Sequence, residues 1–202
     1  GKRMVQITVH PGFCSRDEGW DDCTTDRSRV EFYDGKGVKS GKSVVYEYSI
    51  FIPNETDLTQ NGNPTVFLGQ LNTTTDIHYS SLIMVKWSEI LGLHFQIFDN
   101  FNWNVSTRTG IENLTRIEDQ KNKWITIRYE VDVYSDTRGK LKIYVDGNKV
   151  FERPDHPTVL SGGKVKLKMG IYNYKVSSMN EPRTSQVVFF DNIKRDVKQK
   201  WN

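Results

Sequence analysis

The chain has 202 residues, 28 Lys and Arg against 25 Asp and Glu, a net charge of +3 and a mean hydropathy of −0.61. A chain this long buries roughly 70% of its extended surface, enough for a core without staples, and 12% aromatic residues argue against disorder. It holds no run near the ~18 apolar residues of a membrane span and no apolar leader opens it, although a leader already removed is compatible with Gly1. The mild positive charge does not demand nucleic acid and suits an anionic polymer.

In chain order the signal is almost all β: short Val, Ile, Tyr, Phe and Thr runs separated by Gly, Asn, Asp and Pro clusters. A strand is expected at residues 4–9. The polar stretch behind it carries both cysteines, Cys14 and Cys23. A short-loop disulfide is the simplest reading and suggests an oxidising compartment; two free thiols are the alternative. With no second pair, a four-thiolate zinc site is excluded. The acidic clusters Asp17-Glu18 and Asp21-Asp22, and Asp191 near the other end, offer oxygen ligands for a structural calcium, Ca2+. Solvated acidic loops are the plainer reading, and no metal site is assigned.

The strand at 29–33 places Val30 and Phe32 on one face and Arg29, Glu31 and Tyr33, with Arg27 before them, on the other. Glu31 is then in position to orient the Arg29 guanidinium for bidentate carboxylate recognition, against the plain alternative of a surface ion pair. Strands follow at 43–52 and 65–70. The latter runs into Gln70-Leu71-Asn72, two amides on one face that donate hydrogen bonds without adding charge. After strands at 81–87 and 91–98, where His94 alternates with Gln96 on the polar face, residues 100–123 show no clear period. They read as an excursion loop with a short helix at most.

Strands resume at 124–134, 140–145 and 149–152, the last two joined through Asp146-Gly147-Asn148, a strong hairpin signal. In the strand at 164–174, Val165, Leu167, Met169 and Ile171 face the core. Lys164, Lys166, Lys168, Gly170, Tyr172 and Tyr174 share the other face. A strand glycine often marks the close approach of a ligand, so a sugar ring over Gly170, between Lys168 and Tyr172, is one expectation; a solvated outer face is the other. A strand at 185–194 closes the series. Four Asn-x-Ser/Thr sequons, at Asn54, Asn72, Asn104 and Asn113, agree weakly with secretion. Without linker or repeat, residues 1–202 read as a single all-β domain, a jelly-roll sandwich of two antiparallel sheets.

Three of these stretches resemble the β-jelly-roll polysaccharide lyases, the group of alginate lyases, glucuronan lyases and heparin lyases of the first type. Arg29-Val30-Glu31-Phe32 is similar to the Arg-x-Glu-Leu strand of the alginate branch. Gln70-Leu71-Asn72 is similar to its Gln-Ile/Val-His, departing at the last position. Leu167 to Tyr174 resembles its Tyr-Phe-Lys-Ala-Gly-Val/Ile-Tyr-Asn-Gln strand, and the three occur in the family's order. A strand opening at Trp124, the hairpin at Tyr144 to Gly147 and the strand at Phe189 to Ile193 resemble the glucuronan and heparin lyase frame. The likeness thus runs from about Asp26 to Lys194.

The resemblance implies a concanavalin-like sandwich with a concave cleft and β-elimination on a uronic-acid polymer. Donors must offset the carboxylate charge beside the acidic C5 proton; Gln70, Asn72 and Arg29 are expected to do so. Tyr172 is the expected base and acid, its phenolate favoured by Lys168 and Arg29. The motif histidine is Asn72 here, so either His94 or His78 is expected to stand in for it or the base role falls to Tyr172 alone. Arg27, Glu31, Lys164, Lys166, Tyr174 and Gln96 are expected along the bound sugars. Trp103 and Trp87 are further aromatic faces, with core packing the plainer role for Trp87. No cofactor is expected beyond the optional calcium. The implied protein is a secreted monomer acting on an anionic polysaccharide, without nucleic-acid or membrane partners.

Two other readings remain at this stage. A non-catalytic carbohydrate-binding module for acidic glycans is favoured by Asn72 and opposed by the Lys168 to Tyr172 spacing. A retaining glycoside hydrolase would need Glu-x-Asp-x-x-Glu, a pattern that Glu130-Val131-Asp132 begins and Ser135 breaks.

Overall fold

A computed structural model describes residues 4–17, 20–58, 66–75, 79–88, 91–98, 108–113, 120–174, 176 and 184–199. The strands, in chain order, are β1 (Val5–Val9), β2 (Arg16–Asp17), β3 (Trp20–Asp21), β4 (Arg27–Tyr33), β5 (Val38–Lys39), β6 (Lys42–Phe51), β7 (Val66–Thr74) and β8 (Tyr79–Ser88). They continue with β9 (Gly92–Phe98), β10 (Arg108–Asn113), β11 (Trp124–Val133), β12 (Lys140–Val145), β13 (Asn148–Arg153), β14 (Lys164–Tyr174) and β15 (Gln186–Gln199).

Period-2 alternation dictates the layering. In β11, Ile125, Ile127, Tyr129, Val131 and Val133 are buried while the residues between them are at least partly exposed, as a strand with one face on a core requires. Two antiparallel sheets result. One has six strands in the order β1-β15-β6-β11-β12-β13. The other has seven, in the order β10-β9-β8-β7-β14-β4, with β5 also paired to β14. Their inner faces meet through aromatic contacts, Phe32 with Phe190 at 5.7 Å and Phe95 with Tyr129 at 6.3 Å between ring centroids. The Asp146-Gly147 turn has both central residues at positive φ, 48° and 81°, which gives the tight two-residue hairpin linking β12 to β13.

The stretch expected to be a loop at 100–123 contains β10, which pairs with β9 and carries the edge of the seven-stranded sheet. Its sequence, Arg-Thr-Gly-Ile-Glu-Asn, holds a single large apolar residue. Pairing to β9 makes it a strand, since its own periodicity does not. The short strands β2, β3 and β5 escape the sequence for the same reason. Strand β15 continues to Gln199 beyond a bulge between Asp191 and Lys194. The cysteines form the expected Cys14–Cys23 disulfide. Asn72 is buried completely, so its sequon is closed to glycosylation in the folded chain.

Candidate active site

Antiparallel register carries side chains from distant segments into lateral rows on the outer face of the seven-stranded sheet. One row runs His94, Lys86, Phe67, Tyr172, Arg29 through β9, β8, β7, β14 and β4. The next runs Gln96, Met84, Gln70, Lys168, Tyr33 through the same strands. Glu31 stands opposite Gly170, between these rows, and Asn72 stands between Ser81 and Lys166.

Tyr172 is the best-defined group of the first row. The Arg29 guanidinium lies over its ring, 4.8 Å from the centroid. Phe67 stacks on it from the opposite side at 5.0 Å and 26°, and Lys86 covers Phe67 at 4.7 Å. Cation–π and stacked contacts of this kind hold a ring in one orientation. No hydrogen bond reaches the Tyr172 hydroxyl among the described residues. Burial pushes its pKa above the usual phenol value; Arg27 and Arg29 pull it down, while Glu31 and Asp22 push it up. Arg29 favours the phenolate, as expected, but desolvation disfavours the anion and outweighs the neighbouring cations.

Arg29 also has a different partner from the one expected. Its Nε donates to both oxygens of Asp22, at 3.0 and 2.8 Å, and its Nη2 donates to Oδ1 at 2.5 Å. Ser15 Oγ donates to the same carboxylate at 2.7 Å. Guanidinium and hydroxyl together hold the Asp22 carboxyl below the usual range against its burial. Glu31, two residues along the same strand, does not orient Arg29. Asp22 is a residue that sequence reasoning treated only as part of an acidic cluster. The signal available was its place beside Cys23, which the disulfide ties back to Cys14, next to Ser15.

Its neighbour Asp21 is occupied too, accepting the Cys23 and Thr24 amides at 2.9 and 3.2 Å, while Asp191 accepts the Asn192 amide at 2.7 Å. Among the described residues no three His, Cys, Asp or Glu side chains gather as a metal site would need. Glu18 and the Asp17 side chain lie outside the described residues.

A polar chain crosses the sheet beside these groups. Ser81 Oγ donates to Asn72 Oδ1 at 2.7 Å, Asn72 Nδ2 to Gln70 Oε1 at 3.4 Å, and Gln70 Nε2 to Glu31 Oε1 at 3.1 Å. The last bond spans β14, because Gly170 puts no side chain between β7 and β4. Gly170 is not an opening for a sugar ring. A Cβ there would stand 2.1 Å from the Val30 carbonyl oxygen and 2.7 Å from Glu31 Cα, at a φ of +153°. The glycine lets the β4 backbone close in, and Glu31 reaches over it. Asn72 is fully buried, its amide held between Ser81 and Gln70. Burial pushes Glu31 up and Lys168 down; each opposes the other's shift by Coulombic attraction.

The remaining expected residues divide. Gln96 accepts a hydrogen bond from Lys86 Nζ. His94 shares the Tyr172 row but is buried, its Nδ1 2.9 Å from the Gly92 carbonyl. Three strand spacings separate it from Tyr172, about 14 Å between backbones, which leaves it no direct reach to the phenol. Lys164 and Lys166 are half-buried farther along β14. Tyr174 is exposed beside Arg27, whose guanidinium is 5.6 Å from the ring centroid. Trp87 is buried in the core. His78 and Trp103 lie outside the described residues.

Solved structures share this architecture. The endo-β-1,4-glucuronan lyase from the fungus Trichoderma reesei is 17% identical over 95% of this chain and 79% of that one, with a TM-score of 0.67. A family 7 alginate lyase in complex with the substrate GGMG is 11% identical over 98% and 80%, also with a TM-score of 0.67. A marine PL7 alginate lyase from Zobellia galactanivorans is 12% identical over 96% and 78%, with a TM-score of 0.60. At these identities the likeness shows the jelly-roll fold. No protein of curated function matches the sequence. The sequence profile described as Polysaccharide lyase matches residues 1–194. That match spans nearly the whole chain, and the chain therefore belongs to the polysaccharide lyase family, carbon–oxygen lyases acting on polysaccharides.

Proposed function

We propose that this lyase cleaves a uronic-acid-containing anionic polysaccharide by β-elimination, with Tyr172 moving the protons. The observation that carries the reading is the Tyr172 phenol itself. Its ring is clamped between Arg29 and Phe67, its hydroxyl has no bond among the described residues, and the same face carries Arg27, Lys86, Lys164, Lys166 and Lys168. Such a face attracts a chain of carboxylates. The similar solved structures include a glucuronan lyase and alginate lyases, which agrees with a uronate substrate.

In this reading the Tyr172 oxygen, as phenolate, takes the C5 proton. The C–H electrons form the C4=C5 double bond, and the C4–O bond breaks. Tyr172 then gives the proton to the departing glycosidic oxygen, which returns the phenolate when both groups leave from one side of the ring. Arg29 stabilises the charge that develops on the substrate carboxylate. The Gln70 N–H not given to Glu31 is a second donor, with Asn72 fixing the amide's direction. Because burial raises the phenol, the free enzyme reaches its active ionisation on the alkaline side of neutrality. The Cys14–Cys23 disulfide supports a secreted protein, and among the described residues no helix is long and apolar enough to cross a membrane.

The test is a panel of alginate, glucuronan and heparin, followed by the ultraviolet absorbance of the unsaturated uronate end. Absorbance is expected to rise with at least one polymer and to vanish for Tyr172→Phe while polymer binding persists. No rise with any polyuronate refutes elimination on these substrates; full activity of the variant removes Tyr172 from the chemistry.

A further inference from the structure

Beyond the start of β14 a second group of cations lies outside the rows described above. Lys36, Lys39, Lys42 and Arg195 line a recess of about 200 Å3 together with Gly37, Val38 and Val197, and no acidic side chain lines it. Arg195 is held from behind: its Nε lies 2.9 Å from Asp34 Oδ2 and its Nη2 donates to the Gly37 carbonyl at 3.1 Å. Lys36, Lys39 and Lys42 make no ion pair among the described residues.

The recess adjoins the lysine row of β14. Lys39 stands directly across from Lys164 in the β5–β14 pairing, and Lys164 likewise has no acidic partner among the described residues. Like charges facing each other across strands cost stability, and a bound anion would offset them. The turn before β5 also lies tightly on the row. A Cβ on Gly37 would stand 2.9 Å from Lys166 Cγ and 3.3 Å from Lys164 Cβ. Lys164 is eight residues along β14 from Tyr172, about 26 Å at the rise of a strand, so the recess is separate from the reacting ring.

We propose that the recess is a second polysaccharide site, which takes the carboxylates of the same polyuronate chain after it has passed along Lys168, Lys166 and Lys164. The inference rests on the uronate reading above and adds a remote hold on long chains. Lys36, Lys39 and Lys42 supply the charge there, and Arg195 forms the fixed wall.

The test is direct binding to sodium alginate and, separately, to an alginate tetrasaccharide, for the intact protein and for Lys39→Gln/Lys42→Gln. Both side chains are exposed, so the fold is retained. Loss of two exposed ion contacts weakens polymer affinity roughly 3- to 30-fold and flattens its salt dependence. Tetrasaccharide affinity does not change, because so short a chain does not span both regions. Lys39→Gln alone holds or raises the melting temperature without ligand, since it removes the repulsion with Lys164. Wild-type polymer affinity in the double variant, an equal loss for tetrasaccharide and polymer, or no alginate binding by the intact protein would each overturn the proposal. Binding that depends on these lysines without unsaturated product from alginate, glucuronan or heparin would instead sink elimination on these polymers and leave the recess standing. Product formation with unchanged polymer affinity sinks the recess alone.

Discussion

Removing Asp22 should destabilise the whole molecule through Arg29. The pair is nearly dry, with side-chain exposures of 9% for Arg29 and 1% for Asp22, and three short contacts join it. Asp22→Ala leaves a guanidinium buried without its counter-charge, a change that costs about 3–5 kcal/mol. For a domain of this size that lowers the melting temperature by roughly 6–20 °C. Replacing both partners with apolar residues, Asp22→Leu with Arg29→Met, should recover most of the loss, since no charge is then stranded. The cycle of single and double variants isolates the coupling from packing effects. The pH dependence has a defined sign. The folded pKa of Asp22 is below its ordinary value, so its contribution is fully present above the unfolded value of about 4. It is lost as pH falls through the folded pKa. The gap between intact protein and Asp22→Ala should therefore close in strong acid. Thermal melting by circular dichroism at neutral and acid pH measures all of this. A loss under about 1 kcal/mol for Asp22→Ala at neutral pH, or a gap independent of pH, would refute the reasoning and show that water or another acid serves Arg29 equally well.

Two further outcomes are expected. Gly170→Ala drives a methyl into the β4 backbone at the Val30 carbonyl, where no flexible side chain can yield; it should cost about 3 kcal/mol and melt at least ~6 °C lower, and a melting point within about 2 °C of wild type, under about 1 kcal/mol for a domain of this size, would show that the strands have room. Arg27→Gln removes the cation that contributes most to lowering the Tyr172 pKa, so the alkaline rise of kcat/KM should move to higher pH; a profile left in place would mean that Tyr172 does not set it.

Much of the frame was legible in the residues alone, because a strand's faces follow from its own alternation. The core side of β14, its lysine and tyrosine side, the outward Arg29 and Glu31 of β4, and the Asp146-Gly147 hairpin all depend on residues within a few positions of one another. The disulfide was legible because only one pair of cysteines exists. What the local pattern cannot contain is which strand lies beside which, and in what register. That relation made a strand of residues 108–113. It placed Phe67 and Arg29 on either side of the Tyr172 ring, and it set His94 three strands away. It buried Asn72 behind Gln70. It also reassigned two partners read from sequence proximity. Arg29 pairs with Asp22, brought in from outside the strand by the disulfide-tied loop, and the space above Gly170 is crossed by Glu31. The sequence by itself determined a two-sheet sandwich with a cationic, tyrosine-bearing face. The tertiary structure decided which charges on that face are neutralised and that burial raises the pKa of its phenol, because desolvation and pairing are properties of neighbours that the chain assembles only on folding.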